Sequence, residues 1–164
     1  LEATVKFLCK LFVLAVILMT PLGASAADDL DLTKAVKIGS GKTMVIEFTD
    51  PDCPFCRKAA DYLRDKKDIS LYIFFNPLPI HPQAKAKVQY ILSAPDRAKA
   101  YEEVMHGKFD PKKLEKNITP AGIHLQEEHL AICKANKIDS TPTFMIYGRI
   151  IEGFDPKKLD ALLK

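Results

Sequence analysis

Apolar and polar positions fall into short, sharply bounded blocks along this chain. Val45-Ile46-Glu47-Phe48 is a near-continuous apolar run broken by one acid, the pattern of a central strand covered on both faces. Ile69 to Phe75 is a second such block, rich in β-branched and aromatic residues. Thr143 to Tyr147 and Arg149 to Glu152 flank Gly148 and predict a hairpin. Other blocks carry helical spacing. Ala59, Ala60, Tyr62 and Leu63 predict a helix to about Lys67, with Pro54 in its first turn, where a missing N–H costs nothing. Gln83 to Leu92 and Pro95 to Met105 predict two helices split at Ala94-Pro95. Asp110-Pro111 opens a short helix to Lys116, Thr119-Pro120 a longer one to about Asn136, and Asp155-Pro156 a last one to Leu163. Leu32, Ala35, Val36 and Ile38 add a short helix or an edge strand before the turn Gly39-Ser40-Gly41, and Asn76 to Pro82 is a proline-stiffened loop.

The resulting order is strand, helix, strand, helical insertion, helix, strand, strand, helix. It predicts an α/β class with a mixed central sheet and flanking helices, a thioredoxin-like order, with the helical insertion at about 83–116 between its two halves. The first residues read differently. Lys6 and Lys10 precede the unbroken apolar run Leu11 to Met19, and Ala24-Ser25-Ala26 has the small–x–small pattern of a cleavage site. The run is shorter than the roughly 20 residues a bilayer span needs. Residues 1–26 are therefore expected to be a cleaved secretory signal peptide, followed by one domain over 27–164. Cys9 leaves with the signal. The chain holds 24 basic and 21 acidic residues, a formal net charge of +3, and loss of the signal brings it closer to neutral. That balance excludes nucleic acid as an expected partner. Export places the remaining cysteines where disulfides form and persist.

Cys53-Pro54-Phe55-Cys56 carries the chemistry. Two cysteines three positions apart lie where a strand turns into a helix, which suits a pair cycling between dithiol and disulfide. Half of a zinc site is the competing reading, but no second C-x-x-C or H-x-x-x-H follows. A purely structural disulfide would close a loop too short to restrict the unfolded chain much. A thiolate is the nucleophile in exchange, and helix N-termini favour negative charge. Arg57 and Lys58 add positive potential in the first turn. Cys53 is thus expected to attack, and Cys56, one turn deeper on the same face, to resolve the mixed disulfide. Glu47, six positions earlier and mid-strand, is expected to be buried, with a raised pKa, and to exchange protons with the pair. Thr141-Pro142 precedes the strand Thr143–Tyr147, and a cis proline there would leave a backbone edge for an extended substrate. Thr141, Pro142, Pro54 and Phe55 are the expected substrate contacts. Cys133 reads as a small buried residue beside a solvated His129 rather than as half of a metal site. His81 is expected to be a solvated loop residue, and His106 and His124 carry no constellation.

These motifs support a resemblance. Phe48-Thr49-Asp50-Pro51-Asp52-Cys53-Pro54-Phe55-Cys56, with Thr141-Pro142-Thr143 downstream and the segment Phe74 through Met105, resembles the catalytic domain of the DsbC/DsbG thiol:disulfide interchange proteins. The resemblance covers about Lys42 to Leu163. It implies a thioredoxin fold with a helical insertion, Cys53 as nucleophile, Cys56 as resolving thiol and a cis Pro142. No cofactor or metal is expected. Threonine before that proline resembles the isomerase branch. The family's N-terminal dimerisation domain is not expected here, so a monomer is. Glu47 resembles instead the buried acid of thioredoxin and DsbA. The expected activity is a periplasmic thiol:disulfide oxidoreductase that reduces or isomerises disulfides in exported proteins and is recharged by a DsbD-like membrane thiol reductase or an oxidase. A DsbA-like disulfide donor, a reductant for cytochrome c maturation and a metal-binding carrier are the alternatives.

Overall fold

The computed structural model describes residues 30–109, 112 and 114–163. The expected signal peptide lies outside the described residues, as does the Asp110-Pro111 start of the expected short helix. The described residues form five strands: β1 (Val36–Ile38), β2 (Thr43–Thr49), β3 (Ile69–Phe75), β4 (Thr143–Ile146) and β5 (Arg149–Glu152). Among the described residues five α-helices accompany them: α1 (Pro54–Arg64), α2 (Ala84–Ser93), α3 (Arg97–Met105), α4 (Pro120–Ala135) and α5 (Pro156–Leu162). The sheet order is β1-β3-β2-β4-β5. β2 runs parallel to β3 and antiparallel to β4, and the edge strands β1 and β5 are antiparallel to their neighbours. The mixed sheet with flanking helices expected from the element order is therefore what forms.

Strand alternation divides the interior into two layers. Val45 on β2 joins Ile73, Phe75, Phe144 and the inner faces of α1, α2, α3 and α5 in the larger one. Ile46 and Phe48 point the other way, where Phe74, Met145, Ile138 and Cys133 of α4 cover them. Glu47 shares the parity of Val45. Its register neighbours are Ile73 on β3 and Phe144 on β4, so an acid faces the larger apolar layer.

Several boundaries differ from the sequence pattern for local reasons. α1 ends at Arg64 rather than near Lys67, because the next residues tie the turn into β3. The Asp68 carbonyl accepts from the Thr43 N–H at 3.0 Å, and Lys66 reaches Asp160 on α5 at 2.8 Å. α3 starts at Arg97, not Pro95, because the Asp96 side chain caps it by accepting from the Lys99 N–H. Leu32–Lys34 and Val36–Ile38 realise both alternatives, a 3₁₀ turn and then an edge strand. A second 3₁₀ turn occupies Glu115–Asn117. Among the described residues no helix is long and apolar enough to cross a membrane.

The β1–β2 turn depends on a close approach. Gly41 donates its N–H to the Ile69 carbonyl at 3.0 Å, and a Cβ placed on it would lie 2.0 Å from the Asp68 carbonyl carbon. Backbone cannot rotate out of the way as a side chain can. Gly41→Ala is expected to cost about 3 kcal/mol, the upper part of the overpacking range, read as a lower denaturation midpoint at unchanged slope. An unshifted midpoint would show that the turn yields freely.

Candidate active site

The sequence Asp50-Pro51-Asp52 ends β2 and hands the chain to α1. Cys53 is the N-cap, with extended backbone, and Pro54 takes the first helical position. The Cys53 N–H donates to the Asp50 carbonyl at 3.1 Å, which closes the turn. The Cys53 thiol faces the Thr141 carbonyl at 3.5 Å and retains only 6 % exposure. The Thr141–Pro142 bond is cis. Phe55 points outward and is largely exposed, with the Lys58 ammonium over its ring. Cys56 is fully buried, and its sulfur accepts from the Asp50 N–H at 3.4 Å. Cys53, Cys56 and Cys133 are free thiols. Burial raises the Cys56 thiol far above its ordinary value; the Glu47 carboxylate raises it further, and the Thr49 and Thr141 hydroxyls act the other way.

Glu47 lies beneath this pair with no solvent exposure. Burial pushes its carboxyl up to about 7, against the opposing dipoles of the Thr49 and Tyr101 hydroxyls. Neither hydroxyl sits in the geometry of a formed hydrogen bond, and both carboxyl oxygens lack one. The two hydroxyls therefore act on the acid from longer range. Burial also raises the Tyr101 phenol well above its ordinary value, with the Glu47 charge next in weight. Glu47, Cys56, Thr49, Tyr101 and Thr141 thus make one enclosed polar cluster. No spacing in the sequence brings Thr49 or Tyr101 to this cluster: Thr49 ends β2 ahead of the cysteines, and Tyr101 lies on α3, far along the chain.

A third residue that the sequence pattern did not single out is Asp50. Its carboxylate is buried and accepts from the Asp52 N–H at 2.8 Å and the Leu78 N–H at 2.7 Å. The first bond is an Asx turn, the local signal that was present. The second, with His81 Nδ1 at 2.8 Å, pins the proline-rich loop beside the cysteines. His81 is consequently not a solvated loop histidine. Asp52 is also engaged, through an ion pair with Lys87 on α2.

Two further histidines correct the sequence reading. His129 is fully buried rather than solvated. Its Nδ1 accepts from the Phe75 N–H at 3.0 Å, which leaves Nε2 to donate to the Lys34 carbonyl at 2.9 Å. Burial lowers its pKa to about 4, so the ring is a neutral strut between β3 and the first turn. The Cys133 thiol, pushed up to about 12 by burial, faces the Phe75 carbonyl. His106 also has a setting, between Asp61 at 2.7 Å and Glu102 at 2.9 Å. Among the described residues no three His, Cys, Asp or Glu side chains converge as metal ligands.

Comparison with known proteins agrees with this geometry. A family described as a thioredoxin-like domain matches residues 30–164. A probable thiol:disulfide interchange protein DsbC of Bordetella pertussis is 34% identical over 140 residues, which cover 83% of this chain and 48% of that protein. DsbC of Escherichia coli is 25% identical over 122 residues, covering 71% of this chain and 48% of that one. The chain spans about half the length of these curated relatives. The crystal structure of a disulfide interchange protein from Neisseria gonorrhoeae superposes with a TM-score of 0.71 at 30% identity, covering 82% of this chain and 96% of that one.

The buried acid has a thermodynamic signature. Unfolded, the carboxyl titrates near 4.5; folded, near 7, so between those values the folded chain binds more protons. Stability is then lost as pH rises through that window. Glu47→Gln should be neutral near pH 4 and stabilise the fold by about 3 kcal/mol at pH 8, measured by chemical denaturation at both. An equal effect at the two pH values would show that Glu47 does not titrate anomalously.

Proposed function

We propose, from the premise that this chain belongs to the thioredoxin-like domain family, that it is an exported thiol:disulfide oxidoreductase working through Cys53 and Cys56. One observation carries the reading. The two free thiols occupy the N-cap and first turn of α1, the outer one at the Thr141 carbonyl and the inner one sealed against a buried acid. Interchange proteins among its relatives support the same chemistry.

The cycle follows from the geometry. The Cys53 thiolate attacks one sulfur of a substrate disulfide, and the other substrate sulfur leaves as a thiolate. Cys56 then attacks the Cys53 sulfur, releasing the second substrate sulfur and forming the Cys53–Cys56 disulfide. Two electrons pass to the substrate, and Glu47 takes the proton that Cys56 gives up. A buried thiol needs such an acceptor, because no solvent reaches it. Thr141, Pro142, Pro54 and the exposed Phe55 form the substrate-facing rim in this reading. Oxidised chain would be returned to dithiol by a membrane thiol reductase, or used as a donor if an oxidase keeps it oxidised. Residues 1–26 would direct export to the periplasm. The chain would act as a monomer in this reading.

The direct test is insulin reduction with dithiothreitol as electron source. Cys53→Ser should fall to the uncatalysed rate, while Cys56→Ser should accumulate a mixed disulfide with the substrate, visible on a non-reducing gel. Full activity in Cys53→Ser would refute the assignment.

A further inference from the structure

Tyr101 occupies a position where phenylalanine would fill the same space at lower cost. It is 1 % exposed, and its ring packs 6.3 Å from that of Phe75. Its hydroxyl is buried without a formed hydrogen bond. A buried hydroxyl with no bond to another residue adds nothing to packing that phenylalanine would not supply, which points to a polar role. The group it faces is the Glu47 carboxyl, whose two oxygens are equally buried and equally without a formed bond. Tyr101 also lines a cavity of about 310 Å³ with Leu63, Ile69, Leu71 and Glu102. Tyr101 therefore packs in the layer that Glu47 faces and borders a space large enough for water.

We infer that Tyr101 is a positioning residue for the resolving step: from α3 its hydroxyl dipole favours Glu47 as the carboxylate that accepts the Cys56 proton. This rests on the proposed role of Glu47. When Cys56 sulfur bonds to Cys53 sulfur, the Cys56 proton passes to the Glu47 carboxylate and the substrate sulfur leaves as a thiolate. The hydroxyl dipole stabilises the charged acid beforehand, and the neutral acid it leaves behind can later release its proton. The groups facing Glu47 are Thr49 on its own strand, Cys56 from α1 and Tyr101 from α3. Its neighbours on β3 and β4, Ile73 and Phe144, are apolar. Thr141 acts on Cys56 and Glu102 on Tyr101, so both lie one group removed.

The test is the second phase of a stopped-flow reaction between the reduced chain and dithiobis-nitrobenzoate, followed from pH 5 to pH 9. The first coloured thiolate reports attack by Cys53, and the second reports resolution by Cys56. In the wild type the second phase should accelerate with pH through an inflection near 7, the value at which Glu47 becomes the carboxylate. Tyr101→Phe should fold normally, keep its first phase, and move that inflection upward by about one pH unit. Glu47→Gln should abolish the inflection, and the double variant should behave as Glu47→Gln does. An inflection unmoved in Tyr101→Phe but lost in Glu47→Gln would overturn the role of Tyr101 alone. An inflection that survives in Glu47→Gln would overturn the proposed role of Glu47, and the inference with it.

Discussion

A carboxyl and a thiol share one dry layer of this molecule, and the arrangement of the site follows from that. The alternation of β2 sends Val45, Glu47 and Thr49 toward the layer covered by α1 and α3. The first turn of α1 sends Cys56 into the same layer. Neither group can ionise there cheaply, and each raises the cost of charging the other. A thiol so placed is inert until its proton has somewhere to go. A carboxyl poised near neutrality is such a destination. The outer thiol differs in kind: it sits at a helix N-terminus beside a carbonyl. The same short motif thus yields two sulfurs in different settings, as the proposed attacking and resolving roles require.

The loop joining β2 to α1 is held by charge rather than by apolar packing. Asp50 gathers two backbone N–H groups and His81, and Asp52 pairs with Lys87. The proline-rich loop and α2 are thereby drawn to the cysteine turn. Buried carboxylates survive when their oxygens are satisfied in this way. Asp50 and Glu47 lie three residues apart with opposite treatment. The first is fully hydrogen-bonded and anchors a turn. The second has no hydrogen bond to another residue, and burial pushes it up to about 7. Environment, not residue type, separates the two acids.

Much of the fold was legible in the sequence. The apolar blocks at β2 and β3, the Gly148 hairpin and the proline-initiated helices all reflect local rules of period and capping. The interleaved signal at Cys53–Cys56 and Thr141–Pro142 was legible for the same reason, since each motif is short and contiguous. What could not be read were partners brought together from far along the chain. Tyr101 meets Glu47 across 54 positions, and His129 meets Phe75 across another long separation. A histidine between backbone groups looks, in sequence, like any histidine. Helix ends depart from the local pattern where a tertiary tie, such as Lys66 to Asp160, overrides propensity.

The central claim is that Cys53 and Cys56 form a reversible redox pair rather than a fixed staple. The equilibrium between reduced and oxidised chain in glutathione buffers of known ratio measures this directly. A reversible pair should show a reduction potential between about −270 and −120 mV, the span of working dithiols of this kind. A potential below about −300 mV, the domain of structural disulfides, would contradict it.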